Sequence, residues 1–146
     1  MTDPFDLDRF VQAQDPVMDQ VRRELAAGRK RTHWMWFVFP QLRGLGQSAM
    51  SRRYAIGSLE EAQAYLRHPV LGPRLIACTE LVNRQEGRSA HAIFASPDDL
   101  KFHACMSLFA RVADAAPAFR AALEMYFAGA PDPLTAAALA RTETRP

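Results

Sequence analysis

The stretch Ser96-Pro97-Asp98-Asp99-Leu100-Lys101-Phe102-His103-Ala104-Cys105-Met106-Ser107-Leu108-Phe109 decides the fold class. A serine cap, a proline in the first turn and two carboxylates facing the positive end of the helix dipole form the strongest helix-start signal in the chain. Phe102, Cys105, Met106, Phe109 and Val112 then recur three and four residues apart, the spacing of one helical face rather than the alternation of a strand. A helix this apolar needs other elements packed around it, and the chain on either side supplies more helices.

Upstream, Asp3-Pro4 reads as a cap followed by a first helical residue, with Asp6 in the third position and Leu7, Phe10 and Val11 on one face. Asp15-Pro16 repeats the device for Val17, Val21 and Leu25, and Gly28 stands where a left-handed residue ends a helix. Ser58-Leu59-Glu60-Glu61 is a capping box for a helix that turns Leu59, Ala62 and Leu66 inward. His68-Pro69 breaks it, and Val70, Leu71, Leu75, Cys78, Leu81 and Val82 trace the next stripe, which ends before Gly87. Ser89 to Phe94 adds one or two turns. Downstream, Pro117 opens a long helix with Phe119, Leu123, Tyr126 and Phe127 inward, closed by Gly129, and Pro131 and Pro133 admit a last helix through Ala140. The expectation is all-α: a single compact multi-helix domain over residues 1–146, with 141–146 as a frayed tail.

One segment breaks the helical order. From Arg31 to Ser48 neither period holds, and every residue from Trp34 to Phe39 is apolar, which predicts a buried aromatic segment at 33–40. A buried strand and a short buried helix both fit, and the helix is favoured because the chain offers no convincing partner strand.

The totals bound the function classes. A chain of 146 residues buries roughly 68–70% of its unfolded surface, enough for a core without staples. Hydrophobic residues at 49% and charged residues at 23% are those of a globular protein, not of a disordered or fibrous one. The apolar run is far shorter than the roughly 20 residues a bilayer requires, and the acidic start lacks a leader's basic region, so the expectation is a cytoplasmic protein with no membrane span. Cys78 and Cys105 sit inside apolar helical patterns and read as buried thiols. A net charge of +2 does not by itself argue for nucleic acid, but its distribution is uneven. Residues 22–53 hold eight basic residues against Glu24 alone, an anion-attracting surface if the tips converge.

Candidate chemistry gathers at two places. Trp34 and Trp36 offer stacking faces, and a buried indole N–H needs an acceptor. Lys30, Arg31, His33 and Gln41 flank them with polar tips. On the helix opened by Ser96, Asp98 and Lys101 share a face, Asp99 lies one position round, and His103 with Ser107 forms a second polar row, as two walls of a pocket would. Gly44-Leu45-Gly46-Gln47-Ser48 is a weaker candidate for holding an anion with Arg52 and Arg53, since it lacks the spacing of a phosphate loop. His33, His68, His91 and His103 show no metal-ligand spacing and no hydrolase elbow is present, so neither a metal nor a cofactor is expected.

Taken together, Arg9-Phe10-Val11, Ala13-Gln14, Gly28-Arg29-Lys30-Arg31, His33-Trp34-Met35-Trp36-Phe37, Phe39-Pro40-Gln41, Gly44-Leu45-Gly46, Ser48, Tyr65-Leu66, His68-Pro69, Leu71-Gly72, Arg74-Leu75 and the helix from Asp99 to Phe109 resemble the uncharacterised family catalogued as domain of unknown function 1810. The resemblance spans nearly the whole chain. It departs at Cys105 and Ser107, where the family pattern reads serine-serine-methionine-threonine around Met106. It implies a compact helical fold and no assigned reaction. Some members carry the label calpastatin, but no inhibitor repeat is present here. A fainter likeness is to the NADAR group, helical N-glycosidase-like proteins associated with ADP-ribose and riboflavin-pathway intermediates. The motifs do not align residue for residue, and no catalytic residue transfers.

The leading expectation is a pocket protein, a hydrolase or N-glycosidase-like, for a small anionic ligand that is nucleotide-derived or a sugar phosphate. Asp99, Lys101 and His33 are its candidate catalytic groups, and Lys30, Arg31, Trp34, Trp36, Gln41, Ser48, Arg52 and Ser107 its candidate ligand contacts. The alternative is a non-enzymatic module that binds protein or nucleic acid through the arginine-rich middle segment. Nucleic acid is the less favoured partner, because the aromatic run is too apolar for a solvent-facing platform. A third reading is a scaffold with no ligand.

Overall fold

The computed structural model describes residues 2–143, and among these all regular structure is helical. The helices are α1 (Asp8–Gln14), α2 (Met18–Ala26), α3 (Met35–Val38), α4 (Ala49–Arg53), α5 (Leu59–Arg67), α6 (Leu71–Asn83), α7 (Ala90–Phe94), α8 (Asp98–Phe109), α9 (Pro117–Phe127) and α10 (Pro133–Glu143). The all-α expectation holds. No helix among the described residues is long and apolar enough to cross a membrane. The last helix runs beyond Ala140 to Glu143, so the frayed tail expected at 141–146 is helical in its first half, and 144–146 lie outside the described residues.

α8 is the centre. It packs against α5, α7, α9 and α10, and Phe102 and every residue from Ala104 to Phe109 are buried. A helix surrounded on all sides needs apolar groups on all sides, and so the one-faced stripe expected for it is too narrow. Aromatic rings tie the layers together. Phe10 of α1 meets Tyr65 of α5 edge-on at 5.1 Å, and Tyr65 meets Phe109 at 5.4 Å. Phe39, Phe94 and Phe102 form a second group, with centroids 4.7–5.9 Å apart. Buried side chains from α1 to α10 belong to one core.

The aromatic segment resolves as helix, for a single turn. Trp34, Met35, Phe37, Val38 and Phe39 are buried, whereas His33 is exposed and Trp36 only half-buried. A nearby feature was not legible: Leu42 and Ile56 form an isolated parallel bridge, with the Arg43 N–H donating to the Ile56 carbonyl at 2.8 Å and the Ile56 N–H to the Gln41 carbonyl at 2.9 Å. The bridge closes the loop that carries α4.

Several caps work differently from their sequence signals. The Asp3 carboxylate accepts from the N–H groups of Leu7 and Asp8, so α1 begins four residues later than Asp3-Pro4 implies, and these bonds lower the Asp3 pKa. Asp15 does not cap α2; it pairs with Arg74 at 2.7 Å. Ser58 accepts from Glu61 N–H as expected, but the Glu61 carboxylate reaches Gly57 N–H and Arg9 instead of closing the box. Ser96 leaves the α8 N–H groups alone and donates to Asp99 Oδ1 at 2.9 Å; the peptide bond to Pro97 is cis. His68 caps α6, its Nδ1 accepting from Val70 and Leu71. Gln14 is structural: its buried amide donates to the Phe37 carbonyl and the Tyr65 hydroxyl, joining three helices. Both cysteines are free and buried, and burial raises both thiol pKa values, Cys78 to about 11.

Candidate functional site

Two residues past the end of α2, Gly28 with a φ of +74° turns the chain out of the helix. The Lys30 N–H then donates to the Ile93 carbonyl at 2.7 Å, which pins the start of the aromatic segment beside α7 and the start of α8. The Lys30 side chain is only 7% exposed and would be costly to bury without partners. Its ammonium lies 2.9 Å from Asp98 Oδ2, 2.5 Å from the Thr32 carbonyl and 5.0 Å from the centre of the Trp34 ring. Lys101, one turn along α8, approaches the other Asp98 oxygen at 3.6 Å, and its ammonium stands 5.2 Å above Trp36. One carboxylate thus holds two ammonium groups, each over an indole. The cluster keeps a positive charge and is screened from solvent more than a surface ion pair is.

Next to it, Asp99 Oδ1 accepts from Ser96 O–H and from Leu100 N–H, while Oδ2 lies 3.5 Å from Nδ1 of the exposed His91. The side-chain bond from Ser96 fixes the carboxylate, and the imidazole on its other oxygen faces solvent.

Beneath the indoles lies Glu24, 3% exposed. Its Oε1 accepts from Arg31 N–H, Thr32 N–H and the Trp34 indole N–H at 2.7–3.0 Å, and its Oε2 from the Thr32 hydroxyl and the Gln20 amide at 2.6 and 2.8 Å. Burial alone would raise this carboxyl's pKa, but the hydrogen bonds outweigh it and hold the value at about 2. Trp34 is therefore a sealed, hydrogen-bonded anchor. Trp36 differs, because its ring is half-buried and its N–H has no acceptor among the described residues.

Of the candidate residues, the fold brings together Lys30, Trp34, Trp36 and Lys101, with Asp99 adjacent. Others are placed elsewhere. Ser48 caps α4, accepting from Ser51 N–H, and Arg52 donates to the Gln47 carbonyl. Gln41 lies against Gly46, where an added Cβ would stand 3.0 Å from the Gln41 amide nitrogen and 2.4 Å from Ser51 Cβ; this glycine serves close packing instead of an anion. Ser107 is buried, donating to the His103 carbonyl and accepting from Asp132 N–H, while His103 stacks on Phe127 at 3.8 Å. The second polar row of α8 therefore holds the approach to α10 and is no pocket wall. Arg31 and His33 point outward, with no side-chain partner among the described residues.

Two important residues escaped selection. Asp98 was visible as the neighbour of Lys101, but the approach of Lys30 is tertiary. Glu24 had a signal, being the one acid among the basic residues of 22–53.

These features define an all-α domain that carries a part-buried lysine–carboxylate–lysine cluster on an indole pair. The chain belongs to the family described as "Protein of unknown function (DUF1810)", whose model matches residues 4–139. It is similar to a solved structure, that of the conserved hypothetical protein Rv1873 from Mycobacterium tuberculosis, with 62% identity, a TM-score of 0.93, and coverage of 94% of this chain and 99% of that one. Comparison with curated proteins returned no match.

Proposed function

We propose that the chain binds a small anionic ligand, nucleotide-derived or a sugar phosphate, where Trp36 and Lys101 meet Lys30 and Asp98. The observation that carries this reading is the convergence of two ammonium groups, from residues far apart in sequence, on a single carboxylate beside a half-buried indole whose N–H has no acceptor among the described residues. Asp98 compensates one positive charge, and an anion compensates the other. A flat base or sugar face can cover Trp36 and take its N–H bond.

The finer part of the proposal is hydrolysis. In this reading Asp99, held by Ser96 on one oxygen and 3.5 Å from His91 on the other, accepts a proton from water. The hydroxyl then adds to the anomeric carbon, the bond to the leaving nitrogen breaks, and that nitrogen receives the proton that Asp99 took from the water. This part rests on geometry and not on the NADAR likeness, which no comparison supports.

A thermal-shift screen with nucleotides, sugar phosphates and flavin precursors tests the binding, since a ligand at 100 times its Kd stabilises by about 2.7 kcal/mol. Trp36→Ala and Lys101→Ala should abolish the shift produced by a hit, while Arg120→Gln, on an exposed position of α9, should keep it. Unchanged shifts in both site variants would overturn the proposal, and a screen in which nothing stabilises the fold would favour the scaffold reading. Asp99→Asn should retain the shift and lose turnover of that hit.

A further inference from the structure

A concave region of about 720 Å³ lies between the N-terminal turn, the Leu42–Ile56 bridge and the start of α5. Three arginines line it, in two different states. Arg9 is spent: its guanidinium donates to the carbonyls of Phe5, Asp6, Arg53 and Ala55 and pairs with Glu61 at 3.1 Å. The remaining Glu61 oxygen takes the Gly57 N–H at 3.0 Å, so this pair braces the wall and has no capacity left for a ligand.

Arg43 and Arg53 are unspent. Both are exposed, and neither guanidinium has a hydrogen-bond or ion-pair partner among the described residues; Arg53 makes only a ring contact, 5.6 Å from Tyr54. The parallel bridge fixes the Arg43 backbone, and its tip lies over Gly57, where an added Cβ would stand 3.5 Å from the guanidinium carbon and 3.3 Å from Glu61 Oε1. The missing side chain leaves the floor open. Gly57 and Ser58 also bring the N-terminal end of α5 to the same cleft, with its partial positive charge. Against the two guanidiniums stands one carboxylate of the lining that has no ion-pair partner among the described residues, Asp6.

We infer that this cleft binds the phosphate group of a small phosphomonoester, held between the Arg43 and Arg53 guanidiniums over Gly57. Planar guanidiniums match the spacing of phosphate oxygens and donate two parallel bonds each. The inference is independent of the Trp36–Lys101 reading, because it concerns a different surface and is observed on different side chains.

The test follows the arginine Nε–H resonances of the full chain by NMR during titration with inorganic phosphate and with glucose 6-phosphate, against chloride at equal ionic strength. Saturable shifts of the Arg43 and Arg53 signals are expected with both phosphates and not with chloride. Arg43→Gln and Arg53→Gln should each weaken binding about tenfold, and the double variant should abolish it. Gly57→Ala should weaken it with both arginines intact, whereas Arg120→Gln should not. Undiminished binding by the double variant, or equal shifts in chloride, would overturn the assignment. So would a short single-stranded DNA that binds these arginines more tightly than the ester and loses affinity steeply with salt, since that outcome assigns the cleft to a nucleic-acid backbone.

Discussion

At the scale of single residues, Glu24 shows how burial and hydrogen bonding compete. Five donors converge on a carboxylate that water barely reaches, and the charged form wins. Replacing it with alanine strands those donors, and an unsatisfied buried donor costs about 1–3 kcal/mol. Glu24→Ala should therefore lower stability by at least about 3 kcal/mol, and Glu24→Gln by less, because the Thr32 hydroxyl and Gln20 amide can reorient to meet an amide. Urea unfolding measures both. The pH dependence has a definite sign. A folded pKa of about 2 against an ordinary value of 4.5 means that Glu24 stabilises the fold fully above about pH 5 and loses that contribution as pH falls toward 2. The gap in urea midpoint between the native chain and Glu24→Gln should shrink over that window. The sequence marked this residue only as an acid out of place among cations; Gln20 is its i,i+4 neighbour on α2, but the other four donors come from Arg31, Thr32 and Trp34, which reach it only after the chain turns back at Gly28.

Among helices, two contrasts are testable. Ser58 accepts a backbone N–H at the start of α5, whereas Ser96, the stronger cap on paper, donates to a neighbouring carboxylate. Ser58→Ala should cost about 1 kcal/mol and Ser96→Ala less, as read by thermal unfolding. Gly72 lies where α5 and α6 cross, and a Cβ there would fall 2.0 Å from the Leu66 carbonyl oxygen. That atom is backbone and cannot swing away, so Gly72→Ala should destabilise by several times the cost of Gly87→Ala. Gly87 has open space around it and only its φ of +82° to lose, a left-handed conformation that costs an alanine about 1–2 kcal/mol. Helix starts and apolar spacings were legible because they are local. Whether a capping side chain takes the N–H groups or finds a better partner depends on what the rest of the fold brings near it.

Across the whole molecule, Asp98 joins the loop after α2 to the central helix. Removing it leaves two ammonium groups facing each other, one of them 7% exposed, and breaking a buried charge pair costs about 3–5 kcal/mol. Asp98→Ala should approach that range. Lys101→Ala should cost far less, since its side chain is 22% exposed and its ammonium is 3.6 Å from the carboxylate. Equal losses for the two variants in urea unfolding would show that the cluster does not work as described.

Helix content, the apolar character of the segment from Trp34 to Phe39, and the burial of both thiols followed from the chain alone, because solvent exclusion acts on spacing and apolarity that can be read in order; that this segment is one helical turn and not a strand was settled by its packing. The pairing of Lys30 with Asp98, the spending of Arg9 beside the freedom of Arg43 and Arg53, and the diversion of Ser48 and Ser107 to structural bonds were decided only by the tertiary fold. Charged and polar tips act over a few ångströms, and residues separated by dozens of positions come within that range only after the core has packed.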